Sequence, residues 1–219
     1  MGNPWEEIPL ADYEAHMSLD SVRQLQTLRH IMRSQLEAGS AGTVMILGVA
    51  GGNGLDLIAP GRFRRVYGVD INAAYLAETA GRYPALGDAL VCLREDLTEA
   101  EVRLPEAELV IANLIVEYIG YECFLNVLRR VRPQYVSCVL QLNPAEAWVS
   151  ESPYIRVFDG LEAVHHTVEP RGLRSAMAAA GWRTVYEEEF PLPDGKRLAR
   201  LDFTPVSPGA AGRMEDGLP

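Results

Sequence analysis

Residues 44–56 read VMILGVAGGNGLD, an apolar run that empties into four glycines (Gly48, Gly51, Gly52 and Gly54) within seven positions. Glycines open backbone angles that side chains forbid and let a ligand approach the main chain. A helix start after such a loop offers unpaired N–H groups to a polar ligand. The dinucleotide spacing GxGxxG is not met. Counted from Gly48 it demands glycine where Ala50 and Asn53 stand, and counted from Gly52 it fails at Leu57. A nicotinamide-dependent oxidoreductase is thereby disfavoured.

Three further segments carry polar groups at the ends of apolar runs. In VYGVDIN, Asp70, followed by Ile71, is placed to accept both hydrogen bonds of a ribose diol, or alternatively to cap the next helix in competition with Asn72. In VCLREDLTE, Asp96 can accept from an exocyclic amine while Leu97 flanks the ring; a surface turn is the other reading. In LVIANLIVEYI, Asn113 ends the run near the expected reactive end of a ligand; Glu117 and Tyr118 follow in the loop, where Glu117 either lines the space beyond that end or is simply exposed, with Tyr118 in the core.

Acid–base candidates lie at two places. Tyr13 and His16, near Trp5 and Met17, precede the first long helix. Trp148, Tyr154, Phe158, His165 and His166 lie in a segment at 143–168. Histidine has the right pKa range for a base at neutral pH. The two adjacent histidines point apart on regular backbone, so at most one faces a site; the catalytic candidates are Tyr13, His16 and His166. Adjacent histidines are not a helical i, i+4 metal pair, so no metal is expected. Neither GxSxG nor a Cys/His nucleophile arrangement is present.

The elements that must hold these groups emerge from periodicity and punctuation. Val22, Leu25, Leu28, Met32 and Leu36 predict one helix from Ser18 to Gly39. Short apolar strands are expected at 43–47, 66–69, 89–93, 109–114 and 135–142. They alternate with helices at 55–59, 72–83, 120–131 and 170–181, the pattern of a parallel sheet covered on both faces. Strands at 182–190 and 196–203 then flank PLPDG, a hairpin turn.

In this order the segments resemble the class I S-adenosylmethionine-dependent methyltransferases over roughly residues 18–204. ILGVAGGNG is similar to the family's first motif, with Gly48, Ala50 and Gly52 in place of its three glycines and Ile46 where that motif usually carries an acid. Asp56 is a candidate substitute for the missing acid. The resemblance implies an α/β fold: a three-layer open sheet of seven strands, mostly parallel, with an antiparallel C-terminal hairpin strand. It implies S-adenosylmethionine as cofactor, held by Gly48, Val49, Ala50, Gly52, Gly54, Asp70, Ile71, Asp96, Leu97 and Asn113. It also implies a lid at 1–17 and an acceptor pocket built from 143–168.

Composition narrows the partners. The 219 residues are enough for one sizeable core, with 20 basic against 30 acidic residues and a net charge of −10. That average field repels a phosphate backbone, so a small-molecule acceptor is expected rather than nucleic acid. The arginines at 62, 64 and 65 and at 129, 130 and 132 read as solvated faces. No apolar run approaches the roughly 20 residues of a membrane span, and the acidic N-terminal stretch lacks a signal-peptide pattern. A cytoplasmic protein is expected, with its three cysteines reduced. Residues 205–219, rich in Pro, Gly and Ala, read as a flexible tail. The sequence leaves the oligomeric state open. The competing function is an S-adenosylmethionine-binding protein that has lost transfer.

Overall fold

The unbroken apolar runs become the central strands because strands buried on both faces have no solvent side to make polar. In the computed structural model, which describes residues 2–144 and 148–206, these are β1 (Thr43–Leu47), β2 (Arg65–Asp70), β3 (Leu90–Arg94), β4 (Leu109–Asn113) and β5 (Tyr135–Leu142). All five are parallel. The terminal hairpin, β6 (Trp182–Pro191) and β7 (Arg197–Pro205), completes a seven-stranded sheet of order β3-β2-β1-β4-β5-β7-β6. β7 lies antiparallel to both of its neighbours, β5 and β6.

Successive residues of a strand feed opposite layers. Met45 and Leu47 pack with Phe124, Val127 and Val131 of helix α4 (Val116–Val131) and with Leu173 and Met177 of helix α5 (Pro170–Ala179). Val44 and Ile46 pack with Leu76 of helix α3 (Ala73–Arg82) and with Met32 and Leu36 of helix α2 (Gln24–Glu37). Ile46 is therefore a core residue of β1, 6% exposed.

The expected helix from Ser18 to Gly39 is two helices. Helix α1 spans Leu10–Ser18, and α2 begins only at Gln24. Between them Arg23 adopts a left-handed conformation (φ 54°), and the Val22 and Arg23 N–H groups both bond to the Leu19 carbonyl. Val22 is fully buried within this turn, so its place in the apolar periodicity reflects burial rather than helix. Ser18 caps nothing; its hydroxyl donates to the Ala15 carbonyl. The expected helix at 55–59 is a single 3₁₀ turn, Leu55–Leu57. The tail assigned to 205–219 lies outside the described residues from 207 onward. Pro205 closes β7, and the Val206 N–H bonds the Gly181 carbonyl.

The strand order reverses between β1 and β4. The crossovers leave in opposite directions there, and the C-terminal ends of the strands open onto a crevice. Every polar segment picked out from the sequence ends at this edge.

Candidate functional site

Gly48 comes directly after β1. Its φ is +66°, and a Cβ would lie 3.1 Å from the Ile115 side chain, so glycine is required. Ala50 also sits at positive φ (+47°), a position that carries strain for any residue with a Cβ. Its peptide is clamped from both sides: the N–H donates to Asp70 Oδ2 (2.9 Å), and the carbonyl accepts from the Thr79 hydroxyl (2.7 Å). This clamp supplies the polar support that Ile46 cannot. Asp56, the expected substitute, instead pairs with Arg29 at the surface.

Around this loop lies a chamber of about 660 Å³. Its lining includes Gly48 and Ala50, Asp70 at the end of β2 with Ile71 beyond it, Asp96 and Leu97 after β3, and Asn113 at the end of β4. Asp70 Oδ1 accepts the Asn72 N–H (2.9 Å), and with up to four acceptor sites the carboxylate keeps at least one beyond the backbone N–H groups that reach it. Burial raises the Asp70 pKa, against the pull of backbone N–H groups from Asn72, Ala50 and Ile71. Asp96 uses Oδ1 alone, for the Thr98 N–H and hydroxyl. Helix α3 is capped by Asn72, which leaves Asp70 free of that role.

Three predicted cofactor contacts do not line this chamber. Val49 is buried against Gly68, and Gly52 and Gly54 turn the chain against Tyr83 and Met32. Asn113 reaches the chamber, but its amide forms a reciprocal pair with Gln35 of α2 (2.8 and 3.0 Å). Gln35 also donates to Ser137 (2.9 Å), so this side chain seats a helix.

The N-terminal segment lines the chamber with Asn3, Trp5 and Tyr13. It is tied down by Asn72 Nδ2 to the Trp5 carbonyl (2.9 Å), by the Tyr75 hydroxyl to the Ile8 carbonyl (2.9 Å) and by the Glu14–Arg82 ion pair. Burial raises the Tyr13 pKa, with Asp70 and Glu14 adding to the shift, so its phenol is a proton donor at neutral pH.

A second chamber of about 550 Å³ adjoins the first, and Trp5, Tyr13, Leu114 and Tyr118 line both. His16 lines it, with Nδ1 on the Ser152 hydroxyl (2.7 Å) and its ring against Phe158; burial lowers its pKa. Of the adjacent histidines, His165 faces this chamber, stacked on Trp148 at 4.2 Å. His166, the predicted one, faces the open groove outside and donates its N–H to the Glu117 carbonyl (2.6 Å).

Glu117, which the sequence offered as either lining the space beyond the reactive end or simply exposed, is the acid that lines the second chamber. It is 5% exposed and has its pKa pushed up to about 7 by burial. Oε1 accepts the Gln141 N–H (2.8 Å), whereas Oε2 has no hydrogen-bond partner among the described residues. The available signal was an acid inside an otherwise apolar run. Among the described residues no cluster of metal-ligating side chains exists.

Comparison with known proteins turns on shape. No family model and no curated protein sequence matches the chain. Solved structures do. Magnesium protoporphyrin IX methyltransferase ChlM from Synechocystis PCC 6803, with bound S-adenosylmethionine, matches with a TM-score of 0.65 at 12% identity, covering 92% of this chain and 93% of that one. The chain has the class I methyltransferase fold. The N-methyltransferase NodS from Bradyrhizobium japonicum WM9, in complex with S-adenosyl-L-homocysteine, matches with a TM-score of 0.65 at 11% identity, over 94% of this chain and 100% of that one. The cyclase SpnF matches with a TM-score of 0.64 at 11% identity, over 85% and 84%. One methyltransferase fold thus carries more than one reaction type.

Proposed function

We propose that this chain is an S-adenosylmethionine-dependent methyltransferase acting on a small-molecule acceptor. The observation that carries the reading is the pair of adjoining chambers beneath one lid. The first presents a glycine-loop backbone and two carboxylates with unused acceptor sites. The second is lined by aromatic rings and a buried acid.

The first chamber fits the cofactor. Asp70 would accept from the ribose hydroxyls, Asp96 Oδ2 from the adenine amine, and Leu97 would pack on the ring. When bound, S-adenosylmethionine supplies a methyl group on a positively charged sulfur, open to displacement by a lone pair. The protein's own part is to align an acceptor, exclude water and hold a proton. The lid serves the first two. For the third, Glu117 replaces Tyr13, His16 and His166 as the base. The net charge of −10 and the aromatic, apolar lining of the second chamber favour a small molecule over a nucleic acid.

Isothermal titration with S-adenosylmethionine and with NAD tests the cofactor assignment. Binding of the first alone is expected, and Asp70→Asn should weaken it about tenfold by removing a charged acceptor. NAD binding without S-adenosylmethionine binding would reject the reading. Release of S-adenosylhomocysteine with an acceptor distinguishes transfer from binding alone.

A further inference from the structure

The second chamber holds a charge with nothing to meet it. Among the described residues fourteen line it, and none is lysine or arginine. Lys196, whose charge is felt at His16, is held by Asp194 (3.2 Å) and the Ser150 hydroxyl (2.8 Å). On its outer side Glu117 also borders the open groove that carries Arg171, Arg174 and Arg197, where Arg174 is paired with Glu187 and Arg197 with Glu189. His16 and His165 are both pushed towards the neutral form by burial, the latter also by His166. Tyr118, on the same helix as Glu117, and Tyr13 from α1 keep their protons because burial raises both, and burial does the same for the Cys138 thiol of β5. Ionised Glu117 is thus the sole charge facing the chamber among its lining residues. An unpaired buried carboxylate oxygen is expensive, and a protein keeps one where a ligand completes it.

The surrounding rings point to the sign of that ligand. Trp5 meets Tyr118 edge-on at 4.8 Å, and Tyr118 lies 6.4 Å from Trp148, whose face is stacked on His165. Aromatic faces attract cations, most strongly where water is excluded. Met17, Leu114, Val149 and Phe158 supply the remaining apolar wall.

We infer that the acceptor is a primary or secondary amine on an apolar skeleton, received in the second chamber as its ammonium ion between Glu117 and the aromatic rings. The transfer step after binding rests on the methyltransferase reading, but the amine site itself does not depend on it. Once the ammonium is seated, one N–H bond breaks and its electron pair stays on nitrogen; in transfer that pair would form the new N–C bond while the methyl–sulfur bond breaks with its electrons left on sulfur, so the positive charge passes from sulfur to the methylated nitrogen. The proton forms an O–H bond at Glu117 Oε2, turning carboxylate into carboxylic acid. One positive and one negative charge are consumed together, so the chamber gains no net charge.

The test is calorimetry on the full chain with 2-phenylethylamine, benzylamine and tryptamine against their matched alcohols, at pH 6 and pH 8, with and without S-adenosylhomocysteine. At pH 8 the amines should bind at least about tenfold more tightly than the alcohols, as expected of a charge-assisted hydrogen bond. The preference should shrink at pH 6, where Glu117 is protonated and the amines remain charged. Glu117→Gln should abolish it, and Trp148→Leu should weaken the amines more than the alcohols. Equal affinities, a preference that survives Glu117→Gln, or no probe binding to protein that binds S-adenosylhomocysteine would overturn the inference. Should Glu117→Gln fail to fold, the pH comparison on the unaltered chain decides alone. Amine binding without S-adenosylhomocysteine binding would instead reject the methyltransferase reading and leave the amine site standing.

Discussion

Glu117 is a burden on the folded state as well as a tool. Its ordinary value of 4.5 is raised to about 7 in the native protein, so between these values the native state binds more protons than the unfolded chain. Stability contributed by this residue therefore falls as pH rises through that window, by up to about 3 kcal/mol. His16 and His165, lowered by burial, act in the opposite direction in the same range, so the informative quantity is a difference. Urea midpoints of the wild type and Glu117→Gln should diverge between pH 5 and pH 8, with the variant gaining at the higher pH. Parallel profiles would mean that Glu117 does not titrate there. The apolar run around Glu117 hinted at this burial, but its partner, the Gln141 N–H, lies 24 positions away and could not be read locally. Asp70 and Asp96 were legible because a strand end and a glycine loop already imply where they point. Asn113 was placed correctly at its strand end, but its amide was claimed by Gln35, a partner 78 positions away.

The first turn of α4 carries both Glu117 and Tyr118, and it is set apart from the rest of that helix by one residue. Gly120 has φ 70° and ψ 170°, a conformation open essentially to glycine alone. The kink aims the turn at the second chamber while residues beyond it pack on the sheet. A Cβ at Gly120 would meet the His166 ring at 3.7 Å, so contact is tolerable and the backbone is the obstacle. Gly120→Ala should cost about 1–3 kcal/mol in a melting experiment. It should weaken amine binding more than S-adenosylmethionine binding; equal weakening would count against the kink as the positioning device. The sequence placed a helix start at Gly120 because glycine interrupts periodicity, but the short turn before it was invisible. The strands were legible because Gly, Pro and Asn punctuate them, whereas the break between α1 and α2 was hidden by Val22.

Across the whole molecule, a chain matched by no sequence model adopts a shape shared with solved proteins at 11–12% identity. Continuous apolar strands alternating with helices admit few packings, and the terminal hairpin narrowed them to one. The exposed edge strand β6 carries Glu187, Glu188 and Glu189, charges that discourage pairing with another sheet. The lid, by contrast, depends on scattered anchors. Arg82→Ala frees Glu14 and the contact to the Gly51 carbonyl, and should change global stability by less than about 1 kcal/mol. It should nevertheless speed proteolysis within residues 4–18 and lower S-adenosylmethionine affinity. Unchanged cleavage would show that the other anchors suffice.

Those anchors join residues 67 or 68 positions apart: Trp5 to Asn72, Ile8 to Tyr75, and Glu14 to Arg82. Contacts so distant in sequence require the intervening strands to be assembled first, so the seam forms late on the folding pathway. Energy gained after the rate-limiting step appears in how slowly a structure opens rather than in how fast it forms. The seam is thereby expected to act as a clock: Arg82→Ala should speed unfolding in stopped-flow traces and leave the refolding rate unchanged, and equal changes in both would place the seam early instead.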